Sequence, residues 1–465
     1  MKKTVFVALS FLIATFTLYS QPYLYGVNFK GNGVITKYDL KTNTLTAEYK
    51  LTEADGDGPY SSMIKGDDGL FYGVTSYSGS NNYGTLFSFN PLTQMFAKLH
   101  DFNGVDGGQP SGSLVRASNG KLYGLSLVGG TGNIYSFDLA THIFQKHYVF
   151  NKKDGEGLYG SLVQAADGKL YGLTFSGGHT DPDVPGFGTL FMFDPNSNSC
   201  KTLFTFDGNS GANPYGSLVL GKDNILYGTA HKGGSHGQGT IFSFNPNTAK
   251  YTKLYDFDGI NGAMPYSNLM QASNGLLYGT TQHGGQGAGT VYSFDPAQLT
   301  FVKLHEFQVS DGAEPSGTLM EASDNLLYGT SEQGGKHNMG VLYLLDPKTQ
   351  TVKTLQDYDG INGSFPHFGA LVEVKPGLTA PVAAVSKLTL STFPNPSASY
   401  FNLAIEHNNN HPVELRIFDA SGKLVEVKKV NANTVLQIGH AYAPGTYFAE
   451  VSQGKEKTTL ELVKK

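Results

Sequence analysis

The chain has 465 residues, of which 15% are charged, against roughly 25% in an average soluble protein. Its 59 glycines and its many tyrosines and phenylalanines favour short β-strands joined by tight turns, and they argue against a helical or disordered chain. The formal net charge is −5 and no basic stripe occurs, which argues against nucleic acid as a partner. The single cysteine, Cys200, excludes an intrachain disulfide and a cysteine-based zinc site.

Residues 1–20 have the pattern of a secretory signal peptide. Lys2 and Lys3 give a positive start, residues 5–18 form an apolar run too short to span a bilayer, and Ser20 is a small residue at the expected cleavage point. The alternative is a buried first strand. We favour the signal peptide, and no other stretch is long and apolar enough for a transmembrane helix.

Internal repeats dominate the middle of the chain. A Leu-Tyr-Gly core, with Phe in place of Leu once, recurs with its tyrosines at Tyr25, Tyr72, Tyr123, Tyr171, Tyr227, Tyr278 and Tyr328. Successive tyrosines lie 47, 51, 48, 56, 51 and 50 residues apart. A period near 50 residues is typical of β-propeller blades, which carry four strands each.

The fifth repeat shows the four predicted strands most clearly, at residues 217–219, 225–229, 240–244 and 251–257. Asp223 and Asn224 predict a hairpin turn between the first two, because both residue types tolerate tight-turn geometry. A Gly-Gly loop at 231–239 joins the second strand to the third, and an Asp-Gly…Pro loop at 258–265 leads to the next repeat. Both loops should emerge on one face, so we expect a ligand there, around the mouth of a central channel.

The two ends of the repeat region are complementary. The first repeat starts at Tyr23 with its second strand, whereas a surplus Gly-Ala-Leu-Val-Glu-Val segment follows the last repeat at 369–374. We predict that this surplus strand completes the first blade, which removes exposed sheet edges. The predicted fold is therefore all-β: a seven-bladed β-propeller of four-stranded blades over residues 21–374, with the ring closed by the 369–374 strand.

The composition changes after residue 374. Residues 375–385 contain two prolines and are predicted to be a linker. Beyond it the repeat is gone, and strands are predicted at 414–418, 423–430, 444–451 and 458–463. Residues 386–465 are therefore predicted to form a small, sandwich-like all-β domain.

This C-terminal segment resembles a known family. Its FPNP start at 393–396, its IFDASGKLV centre at 417–425, its APGTYFAEV strand at 443–451 and its LVKK terminus are similar to the type A C-terminal sorting domain of the type IX (Por) secretion system of Bacteroidetes. The resemblance implies export, passage across the outer membrane, removal of this domain, and release or attachment to surface lipopolysaccharide. The alternative is an ordinary immunoglobulin-like accessory domain.

The repeats resemble a second family. The LYGTxxxGG, GTIFSFNP and GSLV patterns over residues 23–374 are similar to the Gly-rich tandem repeats called GloVer repeats. That resemblance implies a propeller and a surface location, and it implies no established activity.

The candidate ligand-face residues lie in the Gly-Gly loops: His179, Asp181, Asp183, His231, His236, His283 and His337. The first three occupy the longest loop, which departs most from the repeat. The histidines could form a metal or catalytic site, but we favour exposed loop histidines on separate blades, because their spacing matches no zinc motif.

The Asp-Gly loops provide two candidate calcium sets. The first is Asp256, Asp258 and Asn261, and the second, in a later repeat, is Asp357, Asp359 and Asn362. Ca²⁺ needs six to eight oxygens, and each set resembles only part of an EF-hand loop. Turn formation explains the same residue types without an ion, so we expect no cofactor and keep calcium as the alternative.

No nucleophile elbow, phosphate loop or HExxH motif is present, so the sequence predicts no catalytic residue. The leading hypothesis is a secreted or surface-displayed binding or adhesion module, acting as a monomer, with a glycan or protein ligand. The first alternative is a polysaccharide lyase or hydrolase on the propeller face, and the second is a structural surface protein.

Overall fold

The computed structural model describes residues 22–28, 31–179, 186–366, 369–374, 388–393, 395, 397, 400–406, 412–431, 434–454 and 456–465. Every regular element in these residues is a β-strand, and nothing in them forms a helix long and apolar enough to cross a membrane. The predicted signal peptide and linker lie outside the described residues.

The repeat region contains strands β1 to β28 in chain order. They are β1 Tyr23–Asn28, β2 Val34–Asp39, β3 Thr44–Lys50, β4 Ile64–Lys65, β5 Phe71–Thr75, β6 Thr85–Asn90, β7 Met95–Asp101, β8 Val115–Arg116, β9 Leu122–Ser126, β10 Asn133–Phe137, β11 Phe144–Val149, β12 Val163–Gln164, β13 Leu170–Thr174, β14 Thr189–Asp194, β15 Ser199–Thr205, β16 Val219–Leu220, β17 Leu226–Ala230, β18 Thr240–Asn245, β19 Lys250–Asp256, β20 Met270–Gln271, β21 Leu277–Thr281, β22 Thr290–Asp295, β23 Thr300–Glu306, β24 Met320–Glu321, β25 Leu327–Ser331, β26 Val341–Asp346, β27 Thr351–Asp357 and β28 Val372–Val374.

These strands form seven four-stranded antiparallel sheets among the described residues. Sheet 1 has the order β28-β1-β2-β3, and sheets 2 to 7 take the following strands four at a time, from β4–β7 to β24–β27. The first strand of each sheet is shorter than predicted. In sheet 5 it begins at Val219, because the Ser217 N–H bonds to Oδ1 of Asn268 in the next repeat instead of joining its own ladder.

The surplus strand pairs as predicted. β28 is antiparallel to β1, with Tyr23 opposite Val374 and Tyr25 opposite Val372. The paired segment is three residues long, whereas the sequence predicted a strand over 369–374. Residues from opposite ends of the repeat region therefore share one sheet.

A hydrophobic cluster joins each sheet to the next one. The cluster between sheets 5 and 6, for example, contains Tyr227, Phe257, Leu277 and Tyr292, all at most 5% exposed. One further cluster joins sheet 7 back to sheet 1. The repeated Leu-Tyr-Gly tyrosines belong to these cores, which makes them packing residues and leaves them unavailable to a ligand.

The glycine of the Leu-Tyr-Gly core is needed for space rather than for a turn. In sheet 5, Gly228 lies directly opposite Phe242 on the neighbouring strand. A Cβ at Gly228 would lie 2.6 Å from Cζ of Phe242, well inside van der Waals contact. The fully buried ring of Phe242 therefore covers the glycine, which explains why the motif recurs.

The C-terminal segment contains two sheets. Its strands are β29 Thr389–Phe393, β30 Phe401–Glu406, β31 Pro412–Asp419, β32 Leu424–Asn431, β33 Thr434–Ile438, β34 Gly445–Gln453 and β35 Glu456–Lys464. The sheets have the orders β29-β30-β33 and β32-β31-β34-β35. One hydrophobic core contains residues of both sheets, Leu403 and Ile405 from the first and Leu415 and Val451 from the second.

The two ends of this segment are bonded together. Asn395 donates from Nδ2 to the Glu461 carbonyl (2.6 Å) and accepts at Oδ1 from the Val463 N–H (2.7 Å). Ser397 adds two backbone bonds, one to Val463 and one from Lys465, both 2.8 Å. The FPNP and LVKK motifs therefore act as one unit, because each supplies the hydrogen-bond partners of the other.

Candidate functional site

A small cavity, open to solvent, lies where the sheets approach one another. Its lining comes from a repeated segment that precedes the first strand of each sheet, and it consists of Tyr60, Ser61, Ser111, Gly112, Ser113, Tyr159, Gly160, Ser161, Tyr215, Gly216, Ser217, Tyr266, Ser267, Asn268 and Ser316. Sheets 2 to 7 all contribute. The segment follows the inter-sheet loop, whose residues pair with the start of the Gly-Gly loop, as in the bridge Ala212–Lys232. The cavity and both loop types thus lie at the same end of the sheets.

A relay of hydrogen bonds fixes the cavity wall. From sheet 2 to sheet 6, the backbone N–H of one repeated segment donates to a side-chain oxygen of the next: Ser62 to Ser113 (2.9 Å), Ser113 to Ser161 (2.8 Å), Ser161 to Ser217 (2.7 Å) and Ser217 to Asn268 (2.5 Å). The Ala370 N–H donates to Ser62 Oγ (2.5 Å), which extends the relay to the segment before β28. These bonds hold the wall in one geometry, as a preorganised binding site requires.

Small residues allow the segments to come this close. A Cβ added to Gly112 would lie 2.0 Å from the Gly160 carbonyl oxygen, and one on Gly160 would lie 2.6 Å from that of Gly216. Any larger residue at these positions would push neighbouring sheets apart. The glycines therefore set the width of the cavity.

Three half-buried tyrosines line one side of the cavity. The rings of Tyr159 and Tyr215 stack with centroids 4.6 Å apart and an interplanar angle of 6°, and Tyr266 lies 4.4 Å from Tyr215. Phe175 packs edge-on against both Tyr159 and Tyr215. Burial, with the neighbouring Tyr266 and Tyr159, raises the pKa of Tyr215, so its phenol stays a neutral donor at physiological pH.

A carboxylate lies at the edge of the cavity. Glu332 accepts a hydrogen bond from Ser316 Oγ at 3.4 Å. Burial, Tyr77, Asp57 and the charge of Glu332 together raise the pKa of Tyr60 to about 12, which places Glu332 within electrostatic reach of the Tyr60 side of the cavity. The cavity therefore combines aromatic rings from sheets 2, 4, 5 and 6 with an acidic group of sheet 7 at its edge.

Of the predicted histidines, His231 lies nearest to this site. Its ring is 5% exposed and packs edge-on against Tyr266 at 4.3 Å, and its Nδ1 has no hydrogen-bond partner among the described residues. Burial, with the charges of Lys232 and His283, lowers the pKa of His231 to about 4. A neutral imidazole therefore supports the cavity wall.

The other predicted ligand-face residues are dispersed. His179 and His283 are half-buried, His236 and His337 are exposed, and Asp181 and Asp183 lie outside the described residues. Within the described ranges, no three His, Cys, Asp or Glu side chains come together in a geometry that could hold a metal ion. The role predicted for these loop residues stays a prediction.

The two predicted calcium sets are held by turn hydrogen bonds. Asp258 accepts bonds from the N–H (2.7 Å) and the Nδ2 (2.8 Å) of Asn261, and Asp359 accepts from the Ile361 and Asn362 N–H groups. Asp256 and Asp357 instead accept backbone N–H groups of their own Gly-Gly loops, from Ser235 and Lys336. These bonds explain the residue types without an ion, and calcium binding stays a prediction.

The cavity tyrosines were missed from the sequence. Each of them follows a proline or leucine and precedes a Gly-Ser, Ser-Ser or Ser-Asn pair of the wall, and they are Tyr60, Tyr159, Tyr215 and Tyr266. Their shared repeat position is the signal that could have found them, because it holds tyrosine in four repeats and serine in two others, at Ser111 and Ser316. Such variation in an otherwise regular repeat marks side chains that the fold itself does not need.

His231 provides a pH-dependent test of this geometry. The unfolded chain takes up a proton on His231 near pH 6.5, whereas the folded protein does so only near pH 4, so folding stability should fall as the pH drops through this window. The shift corresponds to up to about 3 kcal/mol. His231→Phe should remove this loss, measured as the free energy of unfolding between pH 7 and 4, whereas the exposed control His236→Phe should follow the wild type. Parallel curves for wild type and His231→Phe would contradict the assignment.

Family models match most of the chain. The Gloeobacter/Verrucomicrobia repeat model matches residues 14–183 and again residues 182–380. The chain belongs to this repeat family. The model of the secretion system C-terminal sorting domain matches residues 391–465, which confirms the predicted sorting tail. The protein is therefore exported and is secreted or displayed on the cell surface. No curated protein matches the chain.

The chain is similar to solved structures of low sequence identity. A Bacteroides uniformis protein, provisionally described as a 6-phosphogluconolactonase, is 13% identical with a TM-score of 0.50, over 76% of this chain and all of that one. A quinoprotein alcohol dehydrogenase-like protein of Bacteroides thetaiotaomicron is 15% identical (TM-score 0.46; 77% of this chain and 76% of that chain). The β-propeller domain of the Trilobed protease of Pyrococcus furiosus is 13% identical (TM-score 0.41; 74% and 98%). The repeat family member described here has a β-propeller-like fold, and these likenesses say nothing of its activity.

Proposed function

We propose that residues 21–374 form a closed seven-bladed β-propeller, that residues 375–385 are a linker, and that residues 386–465 are an immunoglobulin-like sorting domain. Three observations support the closed ring. β28 pairs with β1, a hydrophobic cluster joins sheets 7 and 1, and the relay from Ala370 to Ser62 connects the last repeated segment to sheet 2. The sorting domain would engage the type IX secretion machinery, and the propeller would act outside the cell as a monomer.

The propeller's proposed role is to bind a glycan in the central cavity without altering it. The observation that carries this proposal is the array of Tyr159, Tyr215 and Tyr266, which three successive sheets place at the same repeat position around the cavity. Because the ring faces of Tyr215 pack against Tyr159 and Tyr266, the array would meet a sugar with its ring edges and its hydroxyl groups. The neighbouring Ser and Asn side chains add hydrogen-bonding groups suited to sugar hydroxyls.

The lining favours binding over turnover. Among the described residues that line the cavity, none is a carboxylate, an imidazole or a thiol. Glycoside hydrolysis needs two carboxylates close to the scissile bond, and Glu332 supplies one group at the edge. The serines do not resemble activated nucleophiles, because Ser113, Ser161 and Ser217 each accept a backbone N–H of the preceding segment.

The test is thermal unfolding of the full-length protein against a panel of soluble polysaccharides, with and without Ca²⁺. A ligand that binds the folded state raises the unfolding midpoint by an amount set by its concentration over Kd. Tyr215→Ala should weaken binding at least tenfold, as for a central aromatic anchor. Phe187→Ala is the matched control, because this half-exposed aromatic residue is not part of the cavity lining.

The outcomes separate the alternatives. A shift with one glycan and no product release supports the binding module, whereas product formation would replace it with a lyase or hydrolase. If no glycan shifts the midpoint, the ligand is a protein or the role is structural. A shift that requires Ca²⁺ would establish the calcium site left open above.

A further inference from the structure

One residue in each inter-sheet loop has a left-handed backbone. In sheets 2 to 7 this residue comes just before the cavity-lining segment. In the last repeat it comes just before the corresponding segment, which leads into β28. The φ values are 66° at Gly58, 50° at Gln109, 72° at Gly157, 53° at Asn213, 55° at Met264, 53° at Glu314 and 47° at Phe365. We refer to these seven residues as the rim positions.

The backbone of the rim position connects three loops. The Met264 N–H bonds to the Gln238 carbonyl in the Gly-Gly loop of the preceding sheet, and the Met264 carbonyl accepts the N–H of Gln282 at the end of β21. Glu314 forms the same pair of bonds, to Ala288 and from Glu332. Both bonds are main-chain, so glycine would satisfy them equally well. Any side chain at this position is therefore free to serve another purpose.

Gly58 and Gly157, the two glycines among the rim positions, show where a rim side chain would lie. A Cβ on Gly58 would be 2.9 Å from Cδ2 of Tyr77 and 3.0 Å from Cε2 of Tyr60. In a later sheet, a Cβ on Gly157 would be 3.0 Å from Cε2 of the cavity residue Tyr159. In both sheets an aromatic pair already fills this space. By repeat equivalence, side chains at the other rim positions stand beside the cavity, at the level of its tyrosine rings.

Backbone strain by itself does not mark this site. A left-handed, non-glycine residue also occurs in the hairpins between third and fourth strands, for example Leu299 (φ 54°) and Gln350 (φ 58°). Those hairpins lie at the opposite end of the strands from the cavity. Placement beside the cavity therefore distinguishes the rim positions.

One rim side chain has a structural role. Asn213 donates from Nδ2 to the Phe175 carbonyl at 2.9 Å, and asparagine tolerates this backbone conformation. Gln109, Met264 and Phe365 make no side-chain hydrogen bond with any described residue, and Glu314 accepts a long one (3.4 Å) from Gln282. Four different residue types therefore occupy equivalent places that the fold does not require them to fill.

We propose that Gln109, Met264, Glu314 and Phe365 contact the sugar units that extend out of the cavity, and so select the glycan. This inference rests on the proposed glycan-binding function. Met264 and Phe365 offer apolar contacts, whereas Gln109 and Glu314 offer hydrogen-bonding groups. The ligand class is then an oligosaccharide or polysaccharide chain, with one unit on the cavity tyrosines and its neighbours on the rim.

The test compares monosaccharides with their linear tetramers and hexamers by titration calorimetry on the full-length protein. Phe365→Gly and Met264→Gly should weaken binding of the longer chains about fivefold or more each and leave monosaccharide affinity unchanged. Leu299→Gly is the matched control, because it makes the same left-handed-to-glycine change in a hairpin away from the cavity. None of the three should lower the unfolding midpoint, since glycine adopts a positive φ without strain.

The outcomes of this test distinguish the two proposals. If Tyr215→Ala abolishes binding but both rim variants bind all chain lengths like the wild type, the rim assignment is wrong and the cavity proposal stands. If a rim variant loses monosaccharide and oligosaccharide binding equally, the rim forms part of the primary site and does not select chain extension. If no saccharide binds the wild type, both proposals fail.

Discussion

Deleting residues 369–374 from the full-length chain is expected to cost roughly 3–6 kcal/mol of folding stability. Leu371 and Val374 are 8% and 9% exposed, and burial of an aliphatic side chain of this size contributes about 1.5–3 kcal/mol. Domains of ordinary stability have only about 5–15 kcal/mol in total. The deletion would also leave β1 as an unpaired edge, which invites aggregation.

Leu371 and Val374 pack in two different hydrophobic clusters, so the deletion weakens two packing surfaces at once. Val374 belongs to the cluster between sheets 1 and 2, and Leu371 belongs to the cluster between sheets 7 and 1. Loss of the strand therefore loosens both packing surfaces of sheet 1. Equilibrium denaturation should show a lower midpoint, and protease should cut first near β1.

A deletion of the same length in the predicted linker, residues 377–382, is the control. It should leave the denaturation midpoint unchanged. Equal midpoints for the two deletions would contradict the role of β28, and a loss of stability in the linker deletion alone would show that the predicted boundary between the two domains is misplaced.

Removal of residues 386–465 is expected to leave the exported chain in the periplasm, because the sorting domain carries the export signal. A sharper variant is Asn395→Ala. It removes the two side-chain bonds that connect the FPNP motif to Glu461 and Val463 on the last strand, worth about 1–3 kcal/mol together. We expect this variant to show reduced surface display, measured by protease shaving of intact cells and by fractionation.

Asn431→Ala is the matched control for this variant. Asn431 is exposed at the end of β32 and pairs with Pro412 through its backbone, so its side chain should be dispensable. Normal surface display of the 386–465 deletion would refute the sorting assignment. If Asn395→Ala displays normally while the full deletion does not, the two Asn395 bonds are dispensable for sorting and their predicted role is wrong.

Local sequence patterns predicted the strands because the interactions that define them are local. The Asp223-Asn224 turn, the alternation at 240–244 and the period near 50 residues each depend on neighbours within one hairpin or one repeat. The pairing of β28 with β1 was also predictable, because a missing strand at one end and a surplus strand at the other leave a single matching partner. The ends of the strands were predicted less accurately. β16 begins two residues later than predicted, because the Ser217 N–H bonds to Asn268 in the following repeat.

The cavity-lining residues are not the ones that the sequence predicted as ligand-face candidates, and the role of those candidates stays a prediction. Histidines and aspartates of the Gly-Gly loops were predicted as candidates because their side chains can bind a metal or take part in catalysis. The described ones lie in separate Gly-Gly loops. Among the candidate residues that the structure describes, His231 is the one whose ring packs against a cavity residue. Whether side chains from different repeats converge depends on how the sheets are arranged around the cavity, and spacing along the chain carries no information about that.

The sequence by itself determined the all-β class, the repeat and the sorting tail, because each is encoded in short-range patterns or in motifs near one another along the chain. It also predicted the pairing of β28 with β1, from the unmatched strands at the two ends of the repeat region. Tertiary structure decided where the cavity lies and which side chains line it. Tyr159 and Tyr215 are 56 residues apart in sequence, yet their rings stack at 4.6 Å. That contact exists because glycines at the same repeat position let successive sheets approach to backbone distance, a property of the assembled sheets and not of any one repeat.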